Sequence, residues 1–140
     1  MPSNPNLELW QAAAGLDLTK MEIAIENGAE ADYIHQNKTA LLLVLEKCTN
    51  SKQLISMLEL LLGSGASANY KKQLPVQPLT LTVRRNQPEA ARILLKYGAD
   101  PQLKSGSPLL RLLGLGQCAQ SLARKLNRQE ILTLFKEHSA

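Results

Sequence analysis

Two histidines and two cysteines are the side chains with the most reactive chemistry on offer in these 140 residues. A nucleophilic cysteine needs a base beside it, and a zinc site needs Cys and His at short, fixed spacings. Cys48 and Cys118 stand 70 positions apart, no Cys-x-x-Cys occurs, and neither histidine belongs to a cluster. Both cysteines fall in apolar helical stretches and read as small buried hydrophobes. His35 lies in a polar loop, where its plain role is a hydrogen bond within that loop rather than proton transfer. His138 lies near the chain end. Gly114-x-Gly116 lacks the preceding strand that a phosphate-cradling loop needs, and helix punctuation accounts for it. Carboxylates are scattered, and neither H-E-x-x-H nor G-x-S-x-G is present. The reading is of a chain with no catalytic residue, no metal site and no cofactor.

The elements that remain must serve binding. Apolar residues make up 44% of the chain and aromatic ones only 4%. Such a core is built from Leu, Ile and Ala, as in helical arrays. The opening MPSNPN is polar and uncharged and does not read as a secretory signal. The longest aliphatic run, Ala40 to Leu45, is far short of the roughly 20 residues a membrane span needs. Free cysteines without a pairing pattern fit a reducing compartment, the cytoplasm, with the nucleus or a host-cell cytosol as other settings. The net charge of +4 is uneven: residues 1–32 carry −5 and residues 33–140 carry +9.

The clearest unit runs from Tyr70 to Pro101. Pro78 suits the first position of a short helix holding Leu79, Leu81 and Val83. Asn86 tolerates a turn, and Pro88 opens a second helix with Ala90, Ala91, Ile93, Leu94 and Leu95 on its buried side. Gly98 is the left-handed stop. Weaker copies flank it. The first has Asn6 as helix cap, Asp17 as cap of the next helix, and Gly28 as stop. The second starts at Thr39-Ala40-Leu41 and stops at Gly65. Gly28 to Gly65 is 37 residues and Gly65 to Gly98 is 33. The excess of four falls near Thr49–Lys52, read as a longer inter-helix linker. A fourth unit starts at Ser107-Pro108-Leu109, with helices over about 108–113, 118–126 and 129–138.

Gln77-Pro78-Leu79-Thr80 and Ile93-Leu94-Leu95-Lys96-Tyr97-Gly98-Ala99-Asp100 resemble the two signatures of the ankyrin repeat, a 33-residue unit of a β-turn and two helices. The resemblance implies an all-α ankyrin-repeat solenoid with protruding finger loops. It covers 1–140 as one domain, with repeats at about 6–32, 33–69, 70–101 and 102–140. It also implies a non-catalytic protein-interaction module or adaptor. The family's contact positions lie on the finger loops and the inner face of the first helix. They fall here on Gln36, Asn37, Lys38 and Lys47 in the second repeat. In the third they fall on Lys71, Lys72, Gln73, Leu74, Val76, Arg84 and Arg85, and in the fourth on Lys104. The cations among them suit an acidic polypeptide segment. Trp10 reads as packing at the first-helix seam. Tyr33 and Tyr70 stand in equivalent places and read as packing on each other between loops. The chain is expected to be a monomer on its own. Nucleic-acid binding is the alternative, but no run of aromatics offers base stacking. A host-directed, effector-type regulator is another.

Overall fold

The computed structural model describes residues 4–69, 77–105 and 117–139. The chain divides into two compact halves, residues 1–67 and 68–140. In the first, α1 (Pro5–Ala14) and α2 (Leu18–Glu26) form one helix hairpin, and α3 (Ala40–Lys47) and α4 (Ser51–Gly63) form another. The hairpins stack in register: α1 packs on α3, and α2 packs on α4. In the second half α5 (Pro78–Arg84) and α6 (Pro88–Lys96) precede α7 (Ala119–Lys125) and α8 (Gln129–Ser139). There α5 packs on α7, and α6 on α8. Among the described residues the regular structure is helical apart from one isolated bridge, His35 with Lys38, and a two-residue antiparallel ladder. In it Lys104–Ser105 (β1) pairs with Gln117–Cys118 (β2).

Repetition is visible in the backbone hydrogen bonds. Three inter-helix turns share one pattern. The N–H groups of Gly15, Leu16 and Asp17 donate to Gln11, Ala13 and Ala12. Those of Arg85, Asn86 and Gln87 donate to Leu81, Val83 and Thr82. Those of Leu126, Asn127 and Arg128 donate to Leu122, Arg124 and Ala123. The middle residue of each turn is left-handed, with φ of 55°, 51° and 56°. Asparagine bears that conformation with little strain, whereas Leu16 holds it at a cost of about 1–2 kcal/mol. The helix-two stops repeat as well. Gly28, Gly65 and Gly98 have φ of 95°, 106° and 96°, and each donates to the carbonyl three residues back.

The caps explain where helices begin. Asp17 Oδ1 accepts from Lys20 N–H at 3.1 Å, and Thr39 Oγ1 from Leu42 N–H at 3.3 Å. Asn50 Oδ1 does the same for Gln53 N–H at 3.1 Å. Gln77 caps α5 without a side-chain cap bond, and Pro78 supplies the preset φ of a first helical residue. Two expectations are corrected. Asn4, not Asn6, caps α1, because Pro5 takes the first helical position and its missing N–H leaves no orphan there. The four extra residues of the second unit do not form a long linker. Only Cys48, Thr49 and Asn50 separate α3 from α4, and α4 has 13 residues where α2 and α6 have 9. The insertion became one more helical turn, because Asn50 is a strong cap and the residues after it are good helix formers.

Polar side chains tie the loops down within each half. Asp32 Oδ1 accepts from Ser67 N–H at 2.7 Å, and its Oδ2 accepts from Ser67 Oγ at 2.7 Å. Asn69 Oδ1 accepts from Asp100 N–H at 2.8 Å while its Nδ2 donates to the Gly98 carbonyl at 2.8 Å. Asn6 Oδ1 makes the corresponding bond to Glu30 N–H at 2.7 Å. The core is aliphatic. Residues Ala40 to Leu45 are all buried, as is expected of a helix apolar on every side. Leu58, Leu61, Met57, Val83, Ala91 and Leu94 are fully covered. The expected helices over 118–126 and 129–138 are α7 and α8, which take the first-helix and second-helix places beside α5 and α6. The expected helix over 108–113 lies outside the described residues.

Candidate functional site

Gln36 and Asn37 sit at the tip of a tight finger. His35 and Lys38 exchange both backbone hydrogen bonds at 3.0 Å, and the two residues between them have φ of 51° and 62°. Two positive φ values make the turn of the type I′ kind, whose twist matches a two-residue hairpin. Asn37 is at ease there, and Gln36 is held there by the closure of the hairpin. Both side chains are exposed.

The finger is anchored from below. Trp10 Nε1 donates to the Lys38 carbonyl at 3.1 Å. The Trp10 ring meets His35 edge-on at 4.7 Å, and Tyr33 stacks on His35 at 6.2 Å with 11° between the planes. Trp10 is therefore a first-helix residue that positions a loop, and its indole N–H is satisfied. The His35 ring is one layer of an aromatic row, and the hydrogen bonds it brings to the loop come from its backbone. Tyr33 packs on His35; Tyr70, its expected companion, lies outside the described residues.

The cations separate into two groups along the helices. Lys38 belongs to the finger, and its Nζ lies 2.7 Å from Glu46 Oε2. Both side chains are partly exposed, so the pair contributes roughly 0–1 kcal/mol, but it neutralises the Lys38 charge. Lys47 ends α3, and its Nζ reaches the Ala14 carbonyl at 3.5 Å. Arg84 ends α5 and Arg85 is its cap; both are exposed. Along α3 and α5 the residues before the turn side offer no exposed side chain: Ala40 to Leu45 and Pro78 to Val83 are buried throughout. A seven-residue helix is about 10 Å long, so Arg84 and Arg85 stand that far from the start of α5. Lys71, Lys72, Gln73, Leu74 and Val76 lie outside the described residues. Lys104 lies in β1, where it pairs with Cys118 through the backbone.

One residue escaped the sequence reading. Arg128 Nε donates to the Val83 carbonyl at 3.1 Å, and its Nη2 donates to the Arg84 carbonyl at 3.2 Å. The guanidinium closes the C-terminus of α5, where a cation also suits the helix dipole. The available signal was its place: Arg128 stands where Asp17 and Gln87 stand in the other turns, and it is basic.

The cysteines differ. Cys48 is buried, as expected. Cys118 is half-buried and is corrected from core residue to helix cap: its Sγ accepts from Ser121 N–H at 3.5 Å and lies 3.2 Å from Ser121 Oγ. Burial alone would raise its thiol pKa. The Ser121 hydroxyl and the backbone N–H groups outweigh burial and hold the pKa below the ordinary value. His138 and Asp100 line one open cleft with Arg124, Gln102, Leu132 and Phe135. Both are exposed, and Asp100 Oδ1 is occupied by Gln102 N–H at 2.9 Å. Among the described residues no three His, Cys, Asp or Glu side chains gather as metal ligands, and no helix is long and apolar enough to cross a membrane.

No family model matches the chain. A protein of Acanthamoeba polyphaga mimivirus that bears the name of an ankyrin repeat protein is 34% identical to it over 89 residues. That stretch is 61% of this chain and 54% of the viral protein. The likeness is to the ankyrin repeat proteins. The chain spans about half the length of the curated relative it matches.

Proposed function

We propose that this chain is a non-catalytic ankyrin-repeat module, one domain over 1–140, that binds a polypeptide partner. The helix hairpins with shared turn and stop patterns support the repeat reading, and so does the named relative. The observation that carries the binding reading is the finger at His35–Lys38. It is an exposed two-residue tip fixed by Trp10, His35 and Tyr33, so a partner meets side chains whose backbone needs no further ordering. The partner surface comprises Gln36, Asn37 and Lys38 at this finger, Lys71, Lys72, Gln73, Leu74 and Val76 at the next, and Lys104. Lys47, Arg84 and Arg85 extend it at the turn side. Its cations favour an acidic partner. In this reading the chain works in the cytoplasm as a monomer until a partner is bound.

The test is affinity capture from lysate with the wild-type chain, a Gln36→Asp/Asn37→Asp variant and an Arg84→Glu/Arg85→Glu variant. Aspartate tolerates the left-handed turn, so the finger keeps its shape. The wild type is expected to retain partners that one or both variants release. Equal recovery of the same partners by all three rules this surface out.

A further inference from the structure

We infer that Arg84, Arg85, Lys125 and Arg128 form one docking surface, on the turn side of the C-terminal half, for an acidic segment of a partner polypeptide. The inference rests on the reading of the chain as an interaction module and deepens it: Arg84 and Arg85, there the edge of the partner surface, become half of a cationic site. The α5–α6 and α7–α8 turns have one backbone pattern, and α5 packs on α7, so the two turns are neighbours. Arg128 ties them physically through its bonds to the Val83 and Arg84 carbonyls. A guanidinium has five N–H donors, and these bonds use two. The other three have no partner among the described residues. The fork is thus already oriented, and little side-chain entropy is left to lose when a carboxylate arrives.

Arg84, Arg85 and Lys125 are exposed around it, and none of the four is in a salt bridge among the described residues. The nearest carboxylates in sequence are Glu89 and Glu130, each in the first turn of a second helix, where the helix N-terminus already favours a negative charge. Four cations against two such acids leave the surface positive. No aromatic side chain occurs in either turn, which favours a carboxylate-bearing polypeptide over a nucleic acid that needs stacking. Packed helices lie about 8–10 Å apart. Three residues of polyproline II chain span about the same distance at roughly 3.1 Å each, and with three residues per turn they bring i and i+3 to one face. The matching partner motif is therefore an extended stretch with Asp or Glu at i and i+3.

The experiment uses a fluorescein-labelled deca-glutamate peptide and the full chain, with fluorescence anisotropy and amide chemical-shift mapping. Deca-glutamine and an oligothymidylate of equal charge serve as comparison ligands. Binding of the glutamate peptide, shifts centred on 84–86 and 125–128, and an affinity about tenfold lower in an Arg85→Ala/Lys125→Ala variant support the site. Arg128→Lys keeps the charge but loses the fork; a several-fold weakening with an unchanged circular dichroism spectrum supports the anchoring role. Unchanged affinity in the Arg85→Ala/Lys125→Ala variant overturns the inference, as do shifts centred on 35–38. Tighter binding of oligothymidylate through the same amides, or concentration-dependent self-association that blocks the peptide, also overturns it. Should the peptide fail while the finger variant still loses partners in affinity capture, this surface is wrong and the interaction-module reading stands.

Discussion

In the N-terminal half eight Asp and Glu outnumber four Lys; in the C-terminal half twelve Lys and Arg outnumber four Asp and Glu. The halves differ by twelve charges, −4 against +8, yet each stacks two helix hairpins through the same pairing of first and second helices. The fold is written in residues that the charge does not touch: buried aliphatics, left-handed turn residues and glycine stops. The difference sits at the helix ends. The C-terminus of α1 is met by neutral Gln53, whose Nε2 donates to the Leu16 carbonyl at 3.1 Å, and by Lys47. The C-terminus of α5 is met by Arg128, which brings a fixed charge to the same structural task. Helix ends are where this architecture leaves chemistry free to vary.

The comparison is broken most directly in the core. Leu58 and Leu94 are both fully buried on second helices, one in each half. Truncation of either to Ala is expected to remove roughly 2–5 kcal/mol. If the chain is one cooperative domain, both substitutions lower the same transition in urea. Two separable transitions, each moved by one substitution, would instead make the halves independent.

A smaller effect sharpens the claim that both halves follow one backbone plan. A Cβ at Gly28 or Gly98 meets no atom within 4 Å, so only the positive φ resists substitution. Gly28→Ala and Gly98→Ala should each cost about 1–2 kcal/mol by chemical denaturation, and by similar amounts. A large inequality between them would mean that the stops are not equivalent.

The smallest effect concerns the cysteines, one in each half. Because Cys118 has a lowered pKa in the folded state, its thiolate favours folding. That contribution is complete above the unfolded thiol pKa and is lost as pH falls through the folded one. Iodoacetamide should alkylate native Cys118 with a midpoint below that of the unfolded chain, and Ser121→Ala should move the midpoint up. Buried Cys48 should stay unmodified while the chain is folded.

Much of the architecture was legible because it depends on residues with few alternatives. Pro78 and Pro88 open helices, and Gly28, Gly65 and Gly98 close them, since no other residue type takes those dihedrals so cheaply. Ala40 to Leu45 is the longest aliphatic run of the sequence, and its burial follows because nothing in it favours water. Positions that depend on competition were less legible. Asn4 and Asn6 are equally good caps until Pro5 decides between them. Four extra residues read equally well as loop or helix until Asn50 caps them as helix. The candidate site was legible by residue type and not by distance. Lys38 reads as a contact cation until the fold brings Glu46 to it, and nothing local to Arg128 announces its bonds to the end of α5. Long-range pairing leaves no local trace in a sequence.

The loop bonds of Asp32 and Asn69 carry a consequence for how such a chain is copied and edited over generations. Each acidic or amide side chain grips a main-chain N–H further along the chain, two residues after a glycine stop. The gripped residue is Ser67 in one case and Asp100 in the other, and Glu30 in the bond from Asn6. At Glu30 and Asp100 the grip on the receiving residue is on its peptide unit alone, whereas Asp32 also takes the Ser67 hydroxyl. Where only the peptide unit is gripped, the receiving residue can be exchanged without a compensating change, provided the accepting side chain and the glycine stay in phase. The bond works as a standard fitting, and the exposed residues are left to diverge.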